Sequence, residues 1–138
     1  MNSGYQWTGR TLSGIAVVFL AFDAAIKVLR LSFAVQATAQ LGYPARLVAP
    51  IGIIEAVCLV LYLLPRTSVV GAVLWTGYLG GALASHLRLG DPLLADVLFP
   101  VYVAALLWGG LWLRDARVRS VVGAGRGTAS AQTAVPSA

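Results

Sequence analysis

Charge is what this chain of 138 residues has least of. Only 11% of it is Asp, Glu, Lys or Arg, against 59% hydrophobic, and the mean hydropathy is +0.82. A soluble domain carries roughly 25% charged residues, and a soluble protein of this length exposes too much surface for so few charges to cover. The lipid bilayer is therefore the expected solvent. Cysteine is almost absent. Cys58 stands alone, which excludes an intrachain disulfide and a C-x-x-C redox pair and leaves the redox compartment unreadable. Histidine is also single, at His86. One histidine with scattered carboxylates has no ligand spacing, so no metal is expected. Gly-rich phosphate loops, a nucleophile elbow and a haem attachment motif are all missing. The net charge is +5, but the ten basic residues are scattered among apolar runs. That is the pattern of helix-end anchors and topology signals, and it excludes nucleic acid as a partner.

Long apolar runs are what remains. A bilayer core of ~30 Å takes ~20 apolar helical residues, and four segments meet this: about residues 11–31, 47–64, 68–87 and 93–113. LPRT (residues 64–67) and RLGDP (residues 88–92) make short turns between the later spans, and residues 32–46 form the longest loop. The expected fold is all-α: an integral membrane four-helix bundle with antiparallel up-down connections over residues 1–120. A low-complexity Gly/Ala/Ser/Thr tail at 121–138 is expected to be disordered. Asp23, Lys27 and Arg30 interrupt the approach to A-T-A (residues 37–39), which argues against a cleaved signal peptide. Four spans put both termini on one side, with Arg10, Arg66, Arg114, Arg117, Arg119 and Arg126. The other side has Arg30, Arg46 and Arg88, with Lys27 near it. The excess predicts cytoplasmic termini in a multi-pass cell-membrane protein.

Ionisable residues inside spans are costly and usually face the bundle interior. Here they are Asp23, Lys27, Glu55, His86 and Asp96, with Arg88 just beyond. At 1.5 Å per residue, Asp23 and Glu55 each lie about 12 Å from the outer ends of their spans. Lys27 is a turn shallower, His86 sits at the outer end of span three, and Asp96 lies one turn into span four. All four helices thus carry polar residues to the same half of the bilayer, which predicts a polar pocket on the non-cytoplasmic side. Asp23 and Lys27 are i,i+4, acid first, the favourable order for an ion pair. That pair is either structural or a counter-ion for a ligand. Glu55 has no cation in its own helix, and Lys27 lies at similar depth as a partner. His86 is either an interfacial helix-end residue or an acid–base group. Arg88 reads as a headgroup anchor, and Trp7, Trp108 and Trp112 as an aromatic belt. Pro100 lacks an N–H and is expected to leave the carbonyl of Asp96 without its helical partner. Gly77, Gly81 and Ser85 form a small-xxx-small row, expected to be a close-packing helix seam.

Several longer motifs belong together: LGYP (41–44), LVAPIGIIEAVCLVLYLLPRT (47–67), TGYLGGALASHLRLGDP (76–92), LFPVYVAALLW (98–108) and LRDARVR (113–119). With them the chain resembles the DoxX-like family of small bacterial four-helix membrane proteins, over about residues 11–119. The resemblance implies recurring polar positions at Asp23, Lys27, Glu55, His86 and Arg88. It also implies a quinone as one ligand and an oxidoreductase as one partner, since the wider DoxX group includes a membrane subunit of a thiosulfate:quinone oxidoreductase. No cofactor is evident in the residues themselves.

Three readings of function stand. The first is a ligand-binding or accessory subunit whose pocket, lined by Asp23, Lys27, Glu55, His86, Arg88 and Asp96, holds a small lipophilic ligand. The second is a membrane-embedded enzyme with Glu55 and His86 as acid and base. The third is a purely structural subunit. The oligomeric state is not encoded in any feature of the sequence.

Overall fold

The computed structural model describes residues 3–121, all in helices and connecting turns, with no strand among them. Helix α1 (Ser3–Val28) leads through a turn into the short α2 (Ser32–Gln40). A 3₁₀ turn (Ala45–Leu47) opens α3 (Val48–Leu63), and α4 (Ser68–Leu89) follows. A single π turn (Leu93–Val97) precedes α5 (Phe99–Arg114). Four stretches are long and apolar enough to cross a membrane: Gly4–Val28, Ala45–Leu63, Ser68–Leu89 and Leu93–Arg114. The expected all-helical membrane bundle is the fold adopted. The expected disordered tail lies outside the described residues except for Val121, which ends a last helical stretch at 116–121.

The bundle is a square. Helix α1 packs on α3 and α5, and α4 packs on the same two helices, so α1 and α4 face each other across the diagonal. Lipid tails are as apolar as leucine, so packing and internal hydrogen bonds hold such helices together. The centre is filled by Leu20, Tyr62, Trp75, Leu107 and Leu111, each at most 2% exposed. Tyr62 donates a hydrogen bond to the Leu107 carbonyl at 2.8 Å and lies 3.1 Å from the Ser13 hydroxyl. Its proton is committed to Leu107, so Ser13 donates to it. One polar knot thereby joins α1, α3 and α5, in the half of the bundle that the sequence marks as apolar.

The structure corrects three sequence expectations. Residues 32–46 are not simply a loop. They contain α2, too short to cross a bilayer, which lies against α1 and α3 at one end of the bundle and buries Ala34 and Thr38. The fourth span is not one continuous helix. Wide-turn bonds from Val97 and Leu98 reach back to Pro92 and Leu93, so α5 starts afresh with Pro100 in its first turn. A missing N–H costs no helical bond there. The Gly77–Gly81 row is not a seam either: a Cβ added at either glycine meets nothing within 4 Å. The seam of α4 is Gly71, whose Cα lies so close to the backbone of Tyr62 that a Cβ would collide with it. The buried face then continues through Ala72, Trp75, Leu79 and Ser85.

Candidate functional site

The floor of the site is a charged network strung across three helices. On α1, Asp23 and Lys27 share a face one turn apart, and Lys27 Nζ lies 2.7 Å from Asp23 Oδ2. From α3 comes Glu55, 0% exposed, with Oε1 2.5 Å from the same ammonium. From α4 comes Tyr78, which donates to Glu55 Oε1 and accepts from Lys27 at 3.3 Å. The link spans the diagonal of the bundle, where the helix backbones are not in close contact. It forms because Lys27 has the reach to cross, and because Gly52 lets α3 press against α1: a Cβ there would sit 2.8 Å from Lys27 Cβ and from the amide nitrogen of Val28. One cation thus serves two carboxylates and a phenol. Glu55 Oε2 is buried with no hydrogen-bond partner among the described residues.

Above this floor opens a cavity of about 520 Å³, lined by α1, α2, α4, the π turn and the start of α5. Asp23, Lys27, His86 and Asp96 all line it. On α4 the lining residues Trp75, Tyr78, Leu79, Ala82, His86 and Leu89 fall on one helical stripe, about 21 Å long at 1.5 Å per residue. Phe19, Phe33, Phe99 and Val103 supply apolar wall, and Phe19 and Phe99 meet edge to face at 5.4 Å. Trp75 is fully buried in the wall, and its indole N–H has no acceptor among the described residues.

The rim is organised by helix ends. Gly90 adopts φ +75°, and the amides of Gly90 and Asp91 bond back to the carbonyls of Leu87 and His86. This is the paired-bond cap that a left-handed glycine permits. It folds Asp91 over His86, and His86 Nδ1 lies 2.7 Å from Asp91 Oδ2. The same cap closes α2: Gly42 has φ +84°, and Tyr43 bonds back to Thr38. Tyr43 then reaches across to the buried Ser85, with its hydroxyl 2.8 Å from Ser85 Oγ. Arg88 donates to the Leu41 carbonyl at 2.9 Å, strapping the end of α2 to α4. The LGYP motif is therefore a device for mounting α2 over the cavity.

Of the six residues singled out from sequence, four line the cavity. Glu55 stands behind it, bonded to Lys27, and Arg88 stands outside as the strap. Glu55 and His86 answer to different partners. Tyr78 and His86 are eight residues apart on α4, a rise of about 12 Å, so the two candidate acid–base groups do not form a direct dyad. Sequence reasoning missed Tyr78, Trp75, Asp91 and Tyr43. Tyrosine and tryptophan in an apolar helix read as packing, and only their helical phase with His86 marks Trp75 and Tyr78. No group of three or more His, Cys, Asp or Glu that could hold a metal occurs among the described residues.

No curated protein and no solved structure matches the chain. The family model described as DoxX-like matches residues 11–110, a stretch that contains the whole charged network and every residue lining the cavity. The chain belongs to the DoxX-like family.

Proposed function

We propose that this membrane protein is a ligand-binding or accessory subunit. Its cavity takes a small amphipathic molecule, polar head against the Lys27 network and apolar body between Phe19, Phe33 and Phe99. The carrying observation is the meeting of a concave, mostly apolar chamber with a few convergent polar groups, the usual make-up of a small-molecule site. A buried donor without a partner, the Trp75 indole N–H in the cavity wall, supports a ligand that carries an acceptor. A planar carbonyl compound of the quinone class fits this chemistry: a carbonyl accepts from the Trp75 indole, and the ring packs against aromatic walls. Family membership makes an oxidoreductase a natural partner. The arginine excess near the termini supports cytoplasmic termini, which opens the cavity toward the non-cytoplasmic face.

The test is native purification from membranes and mass spectrometry of bound small molecules, with wild type compared to Glu55→Gln and Ala82→Trp. The second variant fills the cavity without touching the network. A co-purifying amphipathic molecule that is lost in Ala82→Trp is the expected result. An empty wild type, together with no stabilisation by any short-chain quinone added to it, would overturn the reading.

A further inference from the structure

The opposite end of the bundle holds a second chamber, of about 360 Å³, lined by Arg10, Leu63, Pro65, Ser68, Leu111, Arg114, Asp115 and Arg117. Four segments meet there: the early part of α1, the end of α3, the start of α4 and the end of α5 with its following turn. Three arginines face one aspartate. Asp115 is already spoken for, since it accepts from the Arg117 amide at 2.9 Å and pairs with the Arg117 guanidinium at 3.3 Å. Arg117 also donates to the Pro65 carbonyl at 2.5 Å. Two positive charges are left over. Arg10 has no hydrogen-bond or ion-pair partner among the described residues. The Arg114 guanidinium carbon lies over the Tyr62 ring, 4.8 Å from its centroid, and the side chain reaches the Tyr62 carbonyl only at 3.4 Å. Its Nε is buried and without an acceptor.

The start of α4 borders the same chamber through Ser68. Helix α4 begins at Ser68 with no side-chain cap, because the Thr67 hydroxyl is turned away to the Leu61 carbonyl at 2.8 Å. The first N–H groups of a helix have no intrahelical acceptor and carry a partial positive charge. Guanidinium forks and a helix start converging on one concavity make a phosphate site. Leu63, about half exposed, lies alongside it.

The geometry points to a second ligand site in this chamber, one that binds the phosphate group of an anionic lipid headgroup or of free phosphate between Arg10, Arg114 and the start of α4. It needs nothing from the ligand reading of the first cavity and tests separately from it. Full-length protein in neutral detergent is titrated with phosphatidylglycerol, with phosphatidylcholine and with inorganic phosphate, and binding is followed by native mass spectrometry and thermal shift. Phosphatidylglycerol should bind more tightly than phosphatidylcholine. Because a basic residue near an anionic lipid surface contributes about 1 kcal/mol, Arg10→Gln should weaken the anionic lipid about fivefold. Arg10→Lys should restore most of it, and Arg46→Gln, at the other end of the bundle, should change nothing. Phosphate binding that is sensitive to Arg10→Gln, without lipid preference, keeps the site and assigns it to free phosphate. No preference and no phosphate binding, or equal loss in Arg10→Gln and Arg46→Gln, overturns it.

Discussion

Lys27 is the residue on which the charged network turns. It faces Asp23 at 2.7 Å and Glu55 at 2.5 Å, and Glu55 has no solvent exposure. Breaking a buried ion pair by removing one partner leaves an uncompensated charge, at a cost of about 3–5 kcal/mol. Lys27→Met should lose stability on that scale in detergent-micelle unfolding, and adding Glu55→Gln to it should recover part of the loss. A double variant no better than the single one would mean that Glu55 is not what Lys27 neutralises. Asp115 offers a smaller, pH-dependent test outside the membrane. Partial burial pushes its carboxyl up, but the Arg117 amide and guanidinium, with Arg114 behind, outweigh this and hold it below the usual aspartate range. A depressed folded-state pKa adds stability above the unfolded value of about 3.9. That stability disappears as the pH falls through the lower folded value, so Asp115→Asn should flatten the acid limb of the stability profile. The Asp23–Lys27 pairing was legible from spacing alone, and the approach of Glu55 from depth alone. Tyr78 was not, because nothing in a run of Trp, Thr, Gly and Leu distinguishes a phenol that donates to a carboxylate from one that packs.

At the scale of elements, what decides each helix contact is where the glycines face, and periodicity in an all-apolar helix does not reveal that. TGYLGG and SVVGAV look equally suited to a seam. The structure chooses Gly71, pressed on the backbone of Tyr62, and leaves Gly77 and Gly81 in open space. Gly71→Ala should force α3 and α4 apart and lower thermal stability markedly. Gly77→Ala should be neutral or stabilising, by up to about 1 kcal/mol from helix propensity. Equal effects of the two would refute this packing. Helix ends were easier to read. Gly90 adopts the left-handed conformation that its place in the RLGDP turn suggests, while Gly42 takes the same conformation at the end of α2, a helix not read from sequence. Arg30 adopts it too, at φ 54°, closing α1 with Arg30 and Leu31 bonded back to Lys27 and Ile26. A side chain there costs roughly 1–2 kcal/mol. Arg30→Gly should therefore raise the unfolding temperature, unless the arginine is bound to a lipid headgroup that offsets the strain. Helix α2 escaped the sequence reading for a different reason. Nine residues cannot span a bilayer, and its two buried residues, Ala34 and Thr38, make too faint an apolar face to register.

The whole molecule is asymmetric from end to end. One end carries the amphipathic cavity beneath α2, and the other gathers Arg10, Arg114 and Arg117 around the start of α4. Charge counts along the sequence predicted the sign of this asymmetry, but the third dimension was needed to show that the arginines converge on one concavity. If the arginine-rich end faces the cytoplasm, Gln40 at the end of α2 faces the opposite compartment, and Arg66 between α3 and α4 faces the cytoplasm. Single-cysteine labelling separates the two orientations cleanly, because the native Cys58 is buried at 5% exposure and can be replaced by alanine with little change in volume. In intact cells, a membrane-impermeant maleimide should modify Gln40→Cys, and should reach Arg66→Cys only after the membrane is opened. The reverse pattern would invert the molecule. The cavity would then open to the cytoplasm and the arginine chamber would meet the outer leaflet, where anionic lipid is scarcer in many membranes. In the cell the second site would then meet soluble anions more often than anionic lipid, whereas the detergent titration, which supplies each ligand directly, measures the site's own preference in either orientation.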